Sequence, residues 1–325
     1  MQAKAIRIAA HGGPEVMEYV DVEVPAPGPG QALVRQHAVG LNFIDVYFRS
    51  GLYAQPLPGG LGKEGAGVVE AVGAGVDHVR PGDRVAHAGG PNGAYANLRT
   101  LPADMLVRLP DAISFETAAA MMLQGLTVQY LLRQTYPVKA GDTILFHAAA
   151  GGVGLIACQW ARALGATLIG TVGSPEKGEL ALAHGAAHVI DYGKEDIVAR
   201  VRAITNGEGV PVVYDSVGKD TFFASLDCLR RRGLMVSFGN ASGAVEPFAP
   251  NELSKRGSLF LTRPTLFDYC ATRPELEAMA AELFGMVTSG AVQIEVRQRF
   301  ALAQAAEAHR ALEGRRTLGS TVLLP

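Results

Sequence analysis

A chain of 325 residues exceeds what one hydrophobic core usually organises, so two domains are expected. Apolar residues make up 48%, charged residues 18%, and the formal net charge is −2, a balance that gives no electrostatic footing for general nucleic-acid binding. The first residues lack a signal-peptide core and no apolar run reaches membrane-spanning length, so a cytoplasmic protein is expected.

Residues 1 to about 123 carry β-like runs at 32–39 and 67–72, punctuated by Pro25-Ala26-Pro27-Gly28-Pro29-Gly30 and Pro81-Gly82-Asp83. They predict a mostly antiparallel β domain. A helical stretch from Phe115 through Ala118, Met122, Leu126, Val128 and Leu131-Leu132 leads to a strand at 143–148. Further strands at 166–172, 187–191, 210–216, 233–238 and 258–263 alternate with helices, which predicts a parallel, doubly wound sheet. The tail offers helices near 274–288 and 303–313 and a short apolar strand at 320–324, which needs an existing sheet to join. The C-terminal piece is therefore expected to return to the N-terminal domain, dividing the chain at 1–124, 125–265 and 266–325. Cys158, Cys228 and Cys270 are odd in number and far apart, which fits neither a disulfide framework nor a zinc knuckle. Cys158, among alanines on a helix, is expected in a core.

The most informative stretch is Phe146-His147-Ala148-Ala149-Ala150-Gly151-Gly152-Val153-Gly154, where a buried strand turns through small residues into an amphipathic helix. A phosphate approaches backbone N–H groups at a helix N-terminus only where side chains are absent. Against the G-x-G-x-x-G pattern, Ala149, Gly151 and Gly154 hold the three small positions, alanine replacing the first glycine. The competing reading is an ordinary tight strand-to-helix connection.

An NAD site presents a carboxylate to the adenosine ribose about 20 residues later. Here the second strand runs instead into Gly173-Ser174-Pro175-Glu176-Lys177, with no carboxylate at its tip. Gly173 leaves room, Ser174 can donate and Lys177 adds positive charge, a set that suits the 2′-phosphate of NADPH. Ser174-Pro175 is equally a helix N-cap pair, and Lys177 equally a solvated lysine. Tyr192, Ser216 and Phe238 follow the third, fourth and fifth strands, whose carboxyl ends line the ligand crevice of such sheets; turn packing is the alternative for each.

These features, with Gly12-Gly13-Pro14-Glu15-Val16, Gly40-Leu41-Asn42-Phe43-Ile44-Asp45, Arg49-Ser50-Gly51-Leu52-Tyr53, Gly125-Leu126-Thr127-Val128, Tyr214-Asp215-Ser216-Val217-Gly218 and Arg232-Gly233-Leu234-Met235-Val236-Ser237-Phe238-Gly239-Asn240, extend over essentially the whole chain. Together they resemble the medium-chain dehydrogenase/reductase superfamily, and within it the NADPH quinone oxidoreductase (zeta-crystallin-like) branch. The resemblance implies an α/β chain with a GroES-like β-rich catalytic domain and a Rossmann nucleotide-binding domain. It also implies cofactor contacts at Asn42, Tyr47, Thr127, Tyr130, Gly151, Gly152, Val153, Gly173, Ser174, Lys177, Tyr192, Ser216, Phe238, Arg263 and Arg315. Arg315 stands in Gly314-Arg315-Arg316 and reads equally as a solvated helix-end arginine. The zinc-dependent alcohol dehydrogenases of the same superfamily differ where it matters: their first cysteine ligand is Asn42 here, and their Gly-His-Glu ligand segment reads Gly62-Lys63-Glu64. No metal is expected.

The expected activity is zinc-independent, NADPH-dependent reduction of a quinone, with Asn42 bonding the cofactor or an acceptor carbonyl and Tyr47 or Tyr53 donating a proton or walling the pocket. Asp45 and Glu64 qualify as acids only with raised pKa values, which the sequence does not supply. Two alternatives stand beside it: an NADPH-dependent reductase of activated C=C bonds in enones or enals, and a non-catalytic, crystallin-like or RNA-binding protein that carries NADPH. A homodimer is expected from the resemblance, and Leu259-Phe260-Leu261 on the sixth, edge strand offers a surface for it.

Overall fold

The computed structural model describes residues 1–325. They divide into two compact units, one of Met1–Leu126, Cys270–Thr288 and Ile294–Pro325, the other of Thr127–Tyr269 and Ser289–Gln293.

In the second unit the apolar runs after residue 143 form six strands, in the spatial order His188–Asp191, Thr167–Val172, Thr143–Phe146, Val210–Asp215, Leu229–Ser237 and Phe260–Thr262. Every neighbouring pair is parallel. The order therefore reverses between Thr143–Phe146 and Val210–Asp215, the switch point at which open α/β sheets bind ligands. Leu145, Ile169, Ile190, Val213 and Met235 from five of the strands meet Val201, Phe222 and Leu226 from two helices in one buried cluster. Cys158 is buried as expected, and all three cysteines are free thiols.

Three strand ends differ from the sequence reading. The strand predicted over 143–148 closes at Phe146, because Ala148 takes a left-handed φ of 55° and His147 turns into the interior. The fifth begins at Leu229 rather than 233, its first turn carrying the exposed Arg230, Arg231 and Arg232 that mask it as a loop. The sixth spans only Phe260–Thr262, because Gly257 and Ser258 both hold positive φ, at 99° and 57°.

The first unit contains a sheet in the order Val296–Ala301, Ser320–Leu324, Gln31–Leu41, Glu64–Val72, Arg84–Ala88 and Val107–Arg108, with Leu98–Pro102 also on Gln31–Leu41. Ser320–Leu324 joins it antiparallel to Gln31–Leu41, and its one parallel neighbour is Val296–Ala301. A smaller sheet pairs Gln2–Ile8 with Met17–Glu23 and Gly59–Gly60. Ile6, Ile8, Val39, Leu41, Leu302, Ala308 and Leu323 form a core that joins both sheets to the C-terminal segment.

One polar contact crosses that core. Arg49, at the end of helix Phe43–Ser50, is 2% exposed and makes two bonds, of 2.8 and 2.7 Å, to Glu313 at the end of helix Ala305–Glu313. Glu313 keeps 33% of its side-chain surface. The two partners are therefore unequal. Glu313→Ala strands a buried guanidinium and should cost about 3–5 kcal/mol of stability, whereas Arg49→Met leaves a carboxylate that water can reach and should cost less. Urea unfolding of both variants checks this, and equal losses would contradict it.

Candidate functional site

In the second unit, the candidate nucleotide site grows from the strand Thr143–Phe146 and the helix Gly152–Ala163. Gly151 is the N-cap, its own N–H closing the turn on the Ala148 carbonyl at 3.0 Å. Leu155 N–H is bonded to the Gly151 carbonyl at 2.9 Å, so the N–H groups of Gly152, Val153 and Gly154 precede the first bonded turn and have no intrahelical acceptor. Gly154 has no room for a side chain: a Cβ there would stand 2.6 Å from Ala149 Cα. Helix and turn can approach this closely only through glycine, which leaves an open, bare-backbone corner at Gly151 and Gly152.

Beside it, Ser174 caps helix Pro175–Ala183, its hydroxyl oxygen accepting from Lys177 N–H at 3.4 Å. The cap uses the oxygen and leaves the hydroxyl proton to donate, so the cap does not preclude the donor reading of Ser174. A Cβ on Gly173 would lie 2.5 Å from the Tyr192 hydroxyl, so the glycine makes room for the 44%-exposed Tyr192 ring. Lys177 is half-buried on the same helix start. Gly151, Gly152, Val153, Gly173, Ser174, Lys177, Tyr192, Ser216 and Phe238 thus all lie in the turns that follow the carboxyl ends of the parallel strands or in the first turn of the helix after them. Phe238 N–H donates to the Asp215 carbonyl at 2.8 Å, and its ring lies 5.8 Å from Phe146. Tyr130 and Arg263 form a neighbouring group: Tyr130 stacks on Tyr269 at 4.5 Å, burial holds its hydroxyl far above its ordinary pKa, and the Arg263 charge opposes that. Thr127 is buried on the same helix as Tyr130.

Below the glycine turn is a network that the sequence reading missed. His147 Nδ1 meets Thr171 Oγ1 and Nε2 meets Ser225 Oγ, both at 2.9 Å, and Ser225 donates to Asp215 Oδ2 at 2.8 Å. Burial lowers the pKa of His147, with Asp215 opposing. The ends of the first, second and fourth strands are tied together by side chains at the point where the sheet reverses.

In the first unit, Asn42, Tyr47 and Tyr53 gather around helix Phe43–Ser50. Asn42 is the N-cap residue and only 5% exposed; its N–H donates to Asp45 Oδ2 at 3.0 Å and its Nδ2 to Glu64 Oε2 at 2.6 Å. Tyr47 and Tyr53 meet edge to face at 5.1 Å, with Phe43 and Phe48 alongside and the Lys63 ammonium over the Phe48 ring at 4.6 Å. Arg315 is exposed, in a left-handed conformation just past helix Ala305–Glu313.

The two carboxyls set aside in the sequence reading turn out to be perturbed. Burial pushes Asp45 up to about 7, against the Asn42 N–H, the Tyr95 hydroxyl and the Lys63 ammonium. Burial likewise pushes Glu64 up to about 8, against hydrogen bonds from Asn42 and Leu123. Asp45 also begins a buried chain: Tyr95 donates to it at 2.9 Å and meets His309 Nε2 at 3.0 Å, and His309 Nδ1 meets Arg49 at 2.9 Å. Burial, then the Arg49 charge, holds His309 down to about 3. Nothing in the sequence marks these partners, since they come from helices and strands far apart along the chain. The only signal is an acidic residue, Glu64, standing at the head of the apolar run 65–69.

The positions where a zinc-dependent relative would hold metal carry a different chemistry here. Asn42 offers a carboxamide already committed to Glu64, and Lys63 an ammonium that donates to the Gly90 carbonyl. Neither is a zinc donor, and zinc requires cysteine, histidine or carboxylate around it. Glu64 alone does not make a zinc site. The bare corner at Gly151 and Gly152, by contrast, fits a dinucleotide's pyrophosphate.

The comparisons agree with this division. A family model described as zinc-binding dehydrogenase matches residues 152–284, and one described as alcohol dehydrogenase GroES-like domain matches residues 28–111. A quinone oxidoreductase of Pseudomonas aeruginosa is 61% identical over 99% of this chain and 100% of its own length. The crystal structure of Escherichia coli quinone oxidoreductase complexed with NADPH superposes with a TM-score of 0.98 at 53% identity, covering 99% of this chain and 100% of that one. A 2-haloacrylate reductase of Burkholderia sp. is 47% identical over 97% of this chain and 96% of its own length. On these matches, and with asparagine and lysine in place of zinc ligands, the chain belongs to the medium-chain dehydrogenase/reductase superfamily, in its quinone oxidoreductase branch.

Proposed function

We propose that this protein is a zinc-independent, NADPH-dependent quinone reductase. The observation that carries the reading is the bare-backbone turn at Gly151 and Gly152 beside a second strand whose tip holds Gly173, Ser174 and Lys177 and no carboxylate. The N–H groups of Gly152 and Val153 would hold the pyrophosphate, and Ser174 and Lys177 the 2′-phosphate, with Tyr192 stacked beside the adenosine. Ser216, Phe238, Thr127, Tyr130, Arg263 and Arg315 complete the proposed cofactor contacts. NADPH, when bound, supplies the reducing electrons through its nicotinamide.

The chain's own part is to bind, orient and stabilise charge. As electrons arrive, an acceptor's carbonyl oxygen gains negative charge, and Asn42 and Lys63 are the buried N–H donors of the first unit suited to it. Tyr47 and Tyr53 would wall a flat ring, their hydroxyls being candidate proton donors. A second reading, reduction of an activated C=C bond, is favoured by the similarity to 2-haloacrylate reductase. We further propose a homodimer: on the edge strand Phe260–Thr262, Phe260 is 55% and Leu261 37% exposed, and a second copy would cover both the apolar surface and the open backbone.

Three measurements bear on this. Lys177→Ala should weaken NADPH by about 1–3 kcal/mol, the scale of a lost charge-assisted bond, and leave NADH almost unchanged. Quenching of the single tryptophan, Trp160, and the tyrosines on titration reads both; equal losses would contradict the 2′-phosphate assignment. In steady-state assays a quinone panel should turn over faster than enones and 2-haloacrylate, and the reverse ranking would replace the first reading by the second. Sedimentation at micromolar concentration should give a dimer that Phe260→Glu splits; a monomeric wild type would remove the dimer proposal.

A further inference from the structure

Asn42, Glu64, Gln124 and Ser320 come from four separate stretches of the chain and are all buried in the first unit. They form one line of hydrogen bonds. Ser320 Oγ donates to Gln124 Oε1 at 2.8 Å, Gln124 Nε2 to Asn42 Oδ1 at 3.2 Å, and Asn42 Nδ2 to Glu64 Oε2 at 2.6 Å. The other Glu64 oxygen accepts from Leu123 N–H at 2.8 Å.

The direction of this line is not arbitrary. A backbone N–H can only donate, so Glu64 Oε1 must accept, and an ionised Glu64 also accepts at Oε2. Asn42 must then turn its NH2 toward Glu64 and its oxygen toward Gln124, and Gln124 must answer with its own NH2. Asn42 then has one N–H left over on the edge that faces Glu64 and one carbonyl lone pair left over on the edge that faces Gln124. A proton on Glu64 Oε2 permits the opposite order: Glu64 donates to Asn42 Oδ1, Asn42 donates to Gln124 Oε1, and Gln124 donates to Ser320. Each partner is still satisfied, but the two leftover sites of Asn42 change places: the lone pair now lies on the edge that faces Glu64 and the N–H on the edge that faces Gln124.

We propose that the charge of Glu64 sets which way round the Asn42 amide lies, and so whether the edge of the amide beside Glu64 offers a bound acceptor a hydrogen-bond donor or an acceptor. This rests on the reading above in which Asn42 touches the acceptor's carbonyl oxygen. Glu64 is then a positioning residue that acts through Asn42, and the productive state is the ionised one, because a carbonyl oxygen gaining negative charge needs an N–H. The titratable group facing Glu64 is Asp45, from helix Phe43–Ser50, itself faced by Tyr95 and Lys63. The segment at Leu123 and the strand Gln31–Leu41, at Gly40, bring backbone, and Gln124 and Ser320 are neutral. Because Glu64 titrates near 8, the wild-type rate should rise with pH through that region as its proton leaves.

Glu64→Gln is the direct test. Glutamine can accept from Leu123 with its oxygen and donate to Asn42 with its NH2, which locks the reversed order with every partner satisfied. Assayed at pH 9 with a quinone and saturating NADPH, Glu64→Gln should lower kcat on the order of 100-fold, the scale of one lost oxyanion donor. Its melting temperature should stay at the wild-type value, and its rate should no longer rise through pH 8. In an Asn42→Ala background the same substitution should have no further effect, since its action passes through the amide. A wild-type rate in Glu64→Gln, or the same loss in both backgrounds, would overturn the proposal. If Asn42→Ala alone retained full activity, the reading of Asn42 as the acceptor's contact would fail instead. Should Glu64→Gln not fold, Gln124→Glu decides: a carboxylate there draws the Asn42 NH2 from the other side and should lower kcat alike, and an unchanged rate would reject the proposal.

Discussion

A polar group buried beyond the reach of water has to seek its partners inside the chain, and that constraint orients the buried histidines and amides of this protein, although Asp45 Oδ1 is left without one. Three buried lines of hydrogen bonds carry it, and in each the direction is set by a group able to act in only one sense. Arg49 can only donate, so His309 must accept at Nδ1, carry its proton on Nε2 and donate to Tyr95, which passes its own hydroxyl proton toward Asp45. Ser225 donates to the Asp215 carboxylate, so its oxygen is free to accept from His147 Nε2, leaving His147 Nδ1 to accept from Thr171. Both histidines are thereby held neutral in a single tautomer, and burial, which lowers the pKa of each, agrees with that assignment.

The consequence for the site is rigidity without close aromatic packing at the turn. Asp215 accepts from Val217 N–H, Gly218 N–H, Thr221 and Ser225, so every carboxylate lone pair is engaged and the end of the fourth strand is fixed. Through Ser225 and His147 the same carboxylate fixes the end of the first strand, from which the glycine turn departs. A turn of alanines and glycines has little side-chain contact to hold its shape. The network beneath it supplies what the turn's own residues cannot.

How much of this could be read from residues alone follows from the range of the interactions. The parallel sheet was legible because each strand declares itself within a few residues and each crossover helix repeats at its own period, as from Val153 to Trp160. The glycine turn was legible for the same reason: its chemistry is local backbone chemistry. Ser174 was legible as a cap. Asp45 and Glu64 were named, but their raised pKa values were not legible, because a pKa depends on burial and neighbours that no spacing encodes. Gln124, Ser320, Tyr95 and His309 were not singled out at all: each is an unremarkable residue until the fold brings it against a partner dozens or hundreds of positions away. The ragged starts of the strands at Leu229 and Phe260 belong to the same class, since exposed arginines and a left-handed serine disguise where pairing begins.

Asparagine and lysine in place of zinc ligands change what these positions can offer an oxygen. A metal polarises an oxygen from outside the proton inventory, and can serve an alcohol leaving with a proton as readily as a carbonyl gaining one. An amide N–H and an ammonium can only donate. In the proposed function this donor set would stabilise an acceptor oxygen that becomes more negative as electrons arrive. It does not choose among reducible substrates, because a quinone, an enone and an acrylate all present a carbonyl oxygen. In the proposed function that choice would fall to shape, with the aromatic group of Phe43, Tyr47, Phe48 and Tyr53, ring centroids 5.1 to 5.7 Å apart, as the element offered to a flat ring. Where these rings wall the acceptor, a quinone ring would bury more apolar area than a small acrylate, and that difference would be binding energy in the quinone's favour.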